Sequence, residues 1–97
     1  MIIRLEHKGV TVQEIRGTDV AGEIMIGRST KCAWAVPKAD TLASSQHACL
    51  FRKWGRVWVK DLKSTNGTFF HGKKITTKKL EIGDRIGIGE CMLTVDE

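Results

Sequence analysis

Ninety-seven residues suffice for one domain and are too few for two. With 41% hydrophobic and 28% charged residues, and apolar runs of only a few residues, the composition is that of a globular protein and excludes a membrane-spanning helix. The net charge of +5 favours anionic partners of any kind (phosphorylated or acidic peptides, nucleic acid, anionic lipid heads) and does not choose among them.

The opening Met1-Ile2-Ile3-Arg4-Leu5-Glu6 carries charge too early and too often for a secretory signal, so the cytoplasm is the expected compartment, for this chain or for a longer parent. No segment has the periodicity of a long amphipathic helix. Short β-prone runs between turn residues predict strands over Ile2–Leu5, Val10–Ile15, Glu23–Ile26, Ala33–Val36, Ala48–Phe51, Val57–Asp61, Thr68–Phe70, Arg85–Ile88 and Cys91–Val95. Alternation is clearest where Val57 and Val59 oppose Arg56, Trp58 and Lys60, and where Cys91, Leu93 and Val95 share a face. Gly9, Gly17, Gly55, Asn66-Gly67, Gly72, Gly83-Asp84 and Gly89 supply the turns between strands. The pattern predicts an antiparallel sandwich or barrel. Cys32, Cys49 and Cys91 form no C-x-x-C; they read as reduced packing thiols, and neither a metal site nor a cofactor is expected.

Three short motifs fall at strand-to-loop junctions. In Gly27-Arg28-Ser29, a guanidinium follows a flexible residue. A phosphate monoester carries about −1.5 to −2 charge near neutral pH, and the planar, permanently charged guanidinium can grip two of its oxygens at once. Ser44-Ser45-Gln46-His47 adds compact hydroxyl donors that approach an anion without bulk. In Ser64-Thr65-Asn66-Gly67-Thr68, an amide with two donors and one acceptor can read a peptide main chain, and Gly67 suits a positive-φ turn position. Asn-Gly is also ordinary hairpin chemistry. The motif contains a glycosylation sequon too, a weak reading without a secretory signal.

In this order and at these spacings, from about Ile24 to Val95, the motifs resemble the signature of the forkhead-associated (FHA) domain, a phosphothreonine-peptide reader. The resemblance implies an all-β sandwich of two antiparallel sheets over residues 1–97, with its binding loops at one end. It implies that Arg28, Ser44, Ser45, Thr65 and Asn66 form the phosphopeptide site, and that Gly27, His47 and Gly67 are structural. Leu42 becomes a candidate contact for the residue three places after phosphothreonine. The partner would be a phosphothreonine-containing protein or peptide, a kinase or its substrate, and the domain a monomer. Ser45 stands where the family often has arginine or lysine; Lys31 and Lys63 flank the motifs and are candidates to replace that charge.

Two alternatives remain. An FHA-like scaffold in a larger assembly, such as a bacterial secretion apparatus, would keep the fold without phosphopeptide binding. A basic nucleic-acid-binding sheet is the weaker one, suggested by the interleaved aromatics and cations of Phe51–Lys60. An enzyme is expected least, because no catalytic residues stand out: Ser44 and His47 lack a nucleophile elbow and a third member, and no carboxylate pair is presented.

Overall fold

Alternating side chains leave each strand one face for the interior, and pairing register decides which face that is. The structure, a computed structural model, describes residues 1–97. Its strands are β1 (Ile2–His7), β2 (Val10–Arg16), β3 (Glu23–Gly27), β4 (Trp34–Ala35), β5 (Ala48–Lys53), β6 (Arg56–Asp61), β7 (Thr68–Phe70), β8 (Lys73–Ile75), β9 (Thr77–Lys79), β10 (Arg85–Ile88) and β11 (Cys91–Asp96). One turn of 3-10 helix, Gly17–Asp19, follows β2. The strands form a six-stranded sheet ordered β2-β1-β11-β10-β7-β8 and a five-stranded sheet ordered β4-β3-β5-β6-β9. Together they make the two-sheet sandwich implied by the motifs.

The sheets are antiparallel except at one edge, where β3 and β4 pair in parallel, Ile26 with Trp34 and Gly27 with Ala35. The loop from Arg28 to Ala33 turns the chain so that β4 runs alongside β3 in the same direction. Every predicted strand is present with its ends shifted by no more than about two residues, the usual uncertainty of such boundaries. β8 and β9 were not predicted, because Lys-Lys-Ile and Thr-Lys-Lys lack apolar alternation. Both are edge strands, one for each sheet, and lysine on an edge discourages pairing with another chain.

The core lies between the sheets. Ile3 pairs with Val95 and Leu5 with Leu93, Ile86 with Leu93 and Ile88 with Cys91, all buried. The second sheet answers with Ile26, Trp34, Ala48, Leu50, Val57 and Val59, also buried. All three cysteines are buried free thiols. Burial, followed by the hydrogen bond to Asp40 and its charge, pushes the Cys91 thiol up to about 12.

Asp40 links this frame to the long loop between β4 and β5. Its fully buried carboxylate accepts the Glu90 N–H at 3.0 and 2.9 Å and the Cys91 thiol at 3.3 Å. Glu90 lies in the hairpin between β10 and β11, so one side chain fastens the loop to the first sheet. Asp40→Ala is expected to lower stability by about 1.5–3 kcal/mol, the range for hydrogen bonds to a charged group, measured from urea unfolding. An unchanged midpoint would mean that the backbone holds the loop unaided.

Candidate functional site

β3, β5 and β6 each reach the same end of the second sheet at Gly27, Ala48 and Asp61. The loops leaving there are held together chiefly by backbone groups and one imidazole. Past the end of β3, Arg28 N–H donates to Ser44 O at 3.0 Å and Ser29 N–H to Ser45 O at 3.1 Å. This approach is too close for a side chain, since a Cβ on Gly27 would lie 2.1 Å from Ser45 O. That steric constraint explains glycine before Arg28.

His47 is fully buried. Its Nδ1 accepts the Ser44 N–H at 3.0 Å, which leaves Nε2 to carry the proton and donate it to Gly67 O at 2.8 Å. The ring therefore joins the loop of Ser44 to the loop of Asn66. Ser44 Oγ accepts the Thr65 N–H at 2.9 Å, and Asn66 Nδ2 donates to Leu42 O at 2.9 Å. Gly67 has φ +91°, a conformation that suits glycine and that turns its carbonyl toward the imidazole.

Asp61 shapes the third loop, a role the sequence alone did not reveal. Its carboxylate accepts the Ser64 N–H at 3.1 Å, the Ser64 hydroxyl and the Thr68 hydroxyl at 2.8 Å. Ser64 Oγ in turn accepts the Gly67 N–H at 2.9 Å. A short polar side chain three residues before a serine, repeated on a turn, is a common local hydrogen-bonding signal.

Above this framework opens a cleft of about 260 Å³, lined by Arg28, Thr41, Leu42, Ala43, Ser44, Ser45, Thr65 and Asn66. The five residues expected to contact phosphopeptide and Leu42 all reach it. His47, Gly27 and Gly67 lie buried beneath. Lys31 and Lys63 are exposed but do not line it, so Arg28 is its one cation, and no carboxylate lines it. Arg28 also differs from Arg4 and Arg52. Arg4 is paired with Glu14 at 2.7 Å and Asp96 at 2.8 Å, and Arg52 donates to the carbonyls of Val20, Gly55 and Gly17. The half-buried Arg28 enters none of the ion pairs.

Phe51, Lys53, Arg56, Trp58 and Lys60 lie elsewhere, on the outer face of the second sheet. Phe51 stands across from Trp58 and Arg56 across from Lys53, with Trp58 half-buried and Trp54 exposed at the hairpin tip.

Burial by itself would raise the Asp61 carboxyl, but the donors from Ser64 and Thr68 outweigh it and hold the group below its ordinary value. A folded pKa below the unfolded one gives stability that is complete above the unfolded carboxylate range, about 4. That stability is lost as pH falls through the depressed folded value. Asp61→Asn is therefore expected to show a smaller fall in urea midpoint between about pH 6 and about pH 3 than the unsubstituted chain. Equal falls would contradict the assignment.

The FHA domain model matches residues 24–89. The chain is 35% identical over 71 residues to the FHA domain-containing protein FhaB of Mycolicibacterium smegmatis, covering 72% of this chain and 44% of that protein. It is 35% identical over 72 residues to an ABC transporter ATP-binding/permease protein of Mycobacterium tuberculosis, covering 74% of this chain and 8% of that one. The chain thus spans less than half the length of these curated relatives. A solved structure from a structural and functional analysis of phosphothreonine-dependent FHA domain interactions superposes with a TM-score of 0.78 at 26% identity. The superposition covers 99% of this chain and 94% of that one.

Proposed function

The chain belongs to the FHA domain family, and from that premise we propose that residues 1–97 form one phosphothreonine-dependent peptide-binding module acting in serine/threonine kinase signalling. The observation that carries the proposal is Arg28, half-buried and without an ion-pair partner, in a cleft with hydroxyls and no carboxylate. A buried or half-buried charge left without its counter-ion in the free protein is suited to acquire one from a ligand.

The remaining valences in the cleft match a phosphorylated peptide. Ser44 Oγ already accepts from Thr65 N–H, so its own proton is left for a phosphate oxygen. Ser45 and Thr65 add exposed hydroxyls. Asn66 uses one amide N–H on Leu42 O; its second N–H and its carbonyl complement the C=O and N–H of a peptide bond. Leu42, 49% exposed, offers apolar surface to a residue beyond the phosphothreonine. The relative analysed for phosphothreonine-dependent interactions supports the same ligand class. The mark requires a kinase, so a kinase or its substrate is the partner, met in the cytoplasm. The module acts by binding and carries no catalytic group.

A fluorescein-labelled degenerate phosphothreonine peptide, its phosphoserine and unphosphorylated twins, and fluorescence anisotropy test the proposal. Binding is expected for phosphothreonine only. Arg28→Ala should weaken it at least about 30-fold, equivalent to roughly 2 kcal/mol, and Asn66→Ala should weaken it as well. Equal affinity for the unphosphorylated twin, or an unaffected Arg28→Ala, would leave the cleft as scaffold.

A further inference from the structure

The cleft accounts for one end of the sandwich. β5 starts beside that end at Ala48 and meets β6 in a hairpin at its far end, where Lys53 pairs with Arg56. Trp54 and Gly55 form the two-residue turn, with φ of 53° and 69°. Such a turn needs positive φ at both positions and favours Asn-Gly. Glycine adopts that conformation freely, whereas a bulky tryptophan is strained in it. Trp54 is also 78% exposed. Lys8 and His71 hold the same conformation before Gly9 and Gly72, so the turn does not single out this hairpin; the large indole left in solvent at its tip does.

Its surroundings are organised. Trp54 packs edge-on against Trp58, ring centroids 6.1 Å apart, and the Trp58 indole N–H is fixed by Lys53 O at 3.1 Å. Beside the turn, a cleft of about 480 Å³ opens between the hairpin and the segment joining β9 to β10. Met1, Leu80 and Ile82 give it apolar surface, Ile82 being 57% exposed. Arg56 and Lys79 reach it as exposed cations outside every ion pair. Arg52 is also in its wall, already bound to carbonyls. The one acid there, Glu81, lies 4.0 Å from Lys78 Nζ.

We propose that this end is a second docking surface, for an acidic protein segment carrying a large apolar side chain. The apolar side chain occupies the cleft beside Ile82, the flanking carboxylates face Arg56 and Lys79, and Trp54, outside the cleft lining but next to Gly55 in the turn, covers the flank of the segment. The concave pocket suits a side chain. A single nucleic-acid strand stacks successive bases on a row of open aromatic faces, and here Phe51 and Trp58 are half-buried, which leaves Trp54 as the one exposed ring. The surface uses no phosphate and is independent of the phosphothreonine reading. Occupied at both ends, the domain would connect two partners.

The test titrates the 15N-labelled 97-residue chain with an unphosphorylated peptide, acetyl-Gly-Asp-Glu-Asp-Leu-Asp-Glu-Asp-Gly-amide. Saturable shifts are expected at the Trp54 and Trp58 indoles and at Arg56, Lys79 and Ile82, with Arg28, Ser44 and Asn66 unmoved. Replacing the central leucine by glycine should weaken binding at least about fivefold, within the range for burying one such side chain. Trp54→Asn supplies a residue that tolerates positive φ, so its melting temperature should equal or exceed that of the unsubstituted chain. Its affinity should fall at least about tenfold. The double variant Arg56→Ala, Lys79→Ala should lose binding with its melting temperature unchanged. Absence of saturable shifts at millimolar peptide, or undiminished binding by Trp54→Asn, would overturn the proposal. So would a lowered melting temperature in Trp54→Asn, which would make the indole a packing residue. Equal or tighter binding of dodecathymidylate or of phosphatidylserine vesicles would overturn it too, and assign the surface to nucleic acid or to membrane.

Discussion

A single buried imidazole fixes the relation between the loops on which the candidate site stands. His47 accepts from Ser44 N–H and donates to Gly67 O, so each ring nitrogen satisfies one backbone group from a different loop. A buried backbone group left unpaired costs about 1–3 kcal/mol, and no water can reach a ring that is 0% exposed. Both loops must therefore meet the ring together. From that junction follow the position of Ser44, whose hydroxyl takes the Thr65 N–H, and the turn that presents Asn66. The histidine acts by positioning, which explains why Ser44 and His47 lie close without forming a catalytic pair.

Around this junction the fold uses two carboxylates in the same way, one fully buried and one half-buried. Asp40 fastens the loop between β4 and β5 to the hairpin of β10 and β11, and Asp61 braces the loop between β6 and β7. Each acid is engaged by N–H, O–H or S–H donors, and neither lines the cleft above. The charge pattern of the site therefore arises as much from keeping acids out of the cleft lining as from where arginine is placed. Arg4 and Arg52 are occupied by carboxylates and carbonyls, and Arg28 is left open. The same separation operates at the far end, where Arg56 and Lys79 stand unpaired beside exposed apolar surface.

The lysine-rich edges serve the architecture. β8 and β9 close the two sheets with Lys73, Lys74, Lys78 and Lys79. Lys78 is partly enclosed, bound to Asp84 at 2.6 Å and lying 4.4 Å over the Phe70 ring. Much of the net positive charge is thus spent on edges that must not pair with other strands. A large basic total is poor evidence for a nucleic-acid partner when this much of it has a structural use.

Local chemistry determined the strands, the turns and the motif residues. Period-two alternation placed Val57 and Val59 inward, and glycine marked the turns at Gly55, Gly67 and Gly72, whose φ values are positive. Both signals are short-range: they depend on neighbours in the chain and can be read without a fold. The edge strands β8 and β9 carry no such signal, because a strand exposed on most sides needs no apolar face. The parallel pairing of β4 was likewise hidden, since hydrophobic pattern does not encode strand direction. Arg28, Ser44 and Asn66 were legible as donors, yet only the tertiary structure brings them to one cleft in which Arg28 is the sole cation and has no counter-ion. The functions of Asp40 and Asp61 were equally out of reach, because a carboxylate's role is set by the donors that surround it. Asp40 meets donors 50 and 51 residues away; no local rule specifies contacts at that separation.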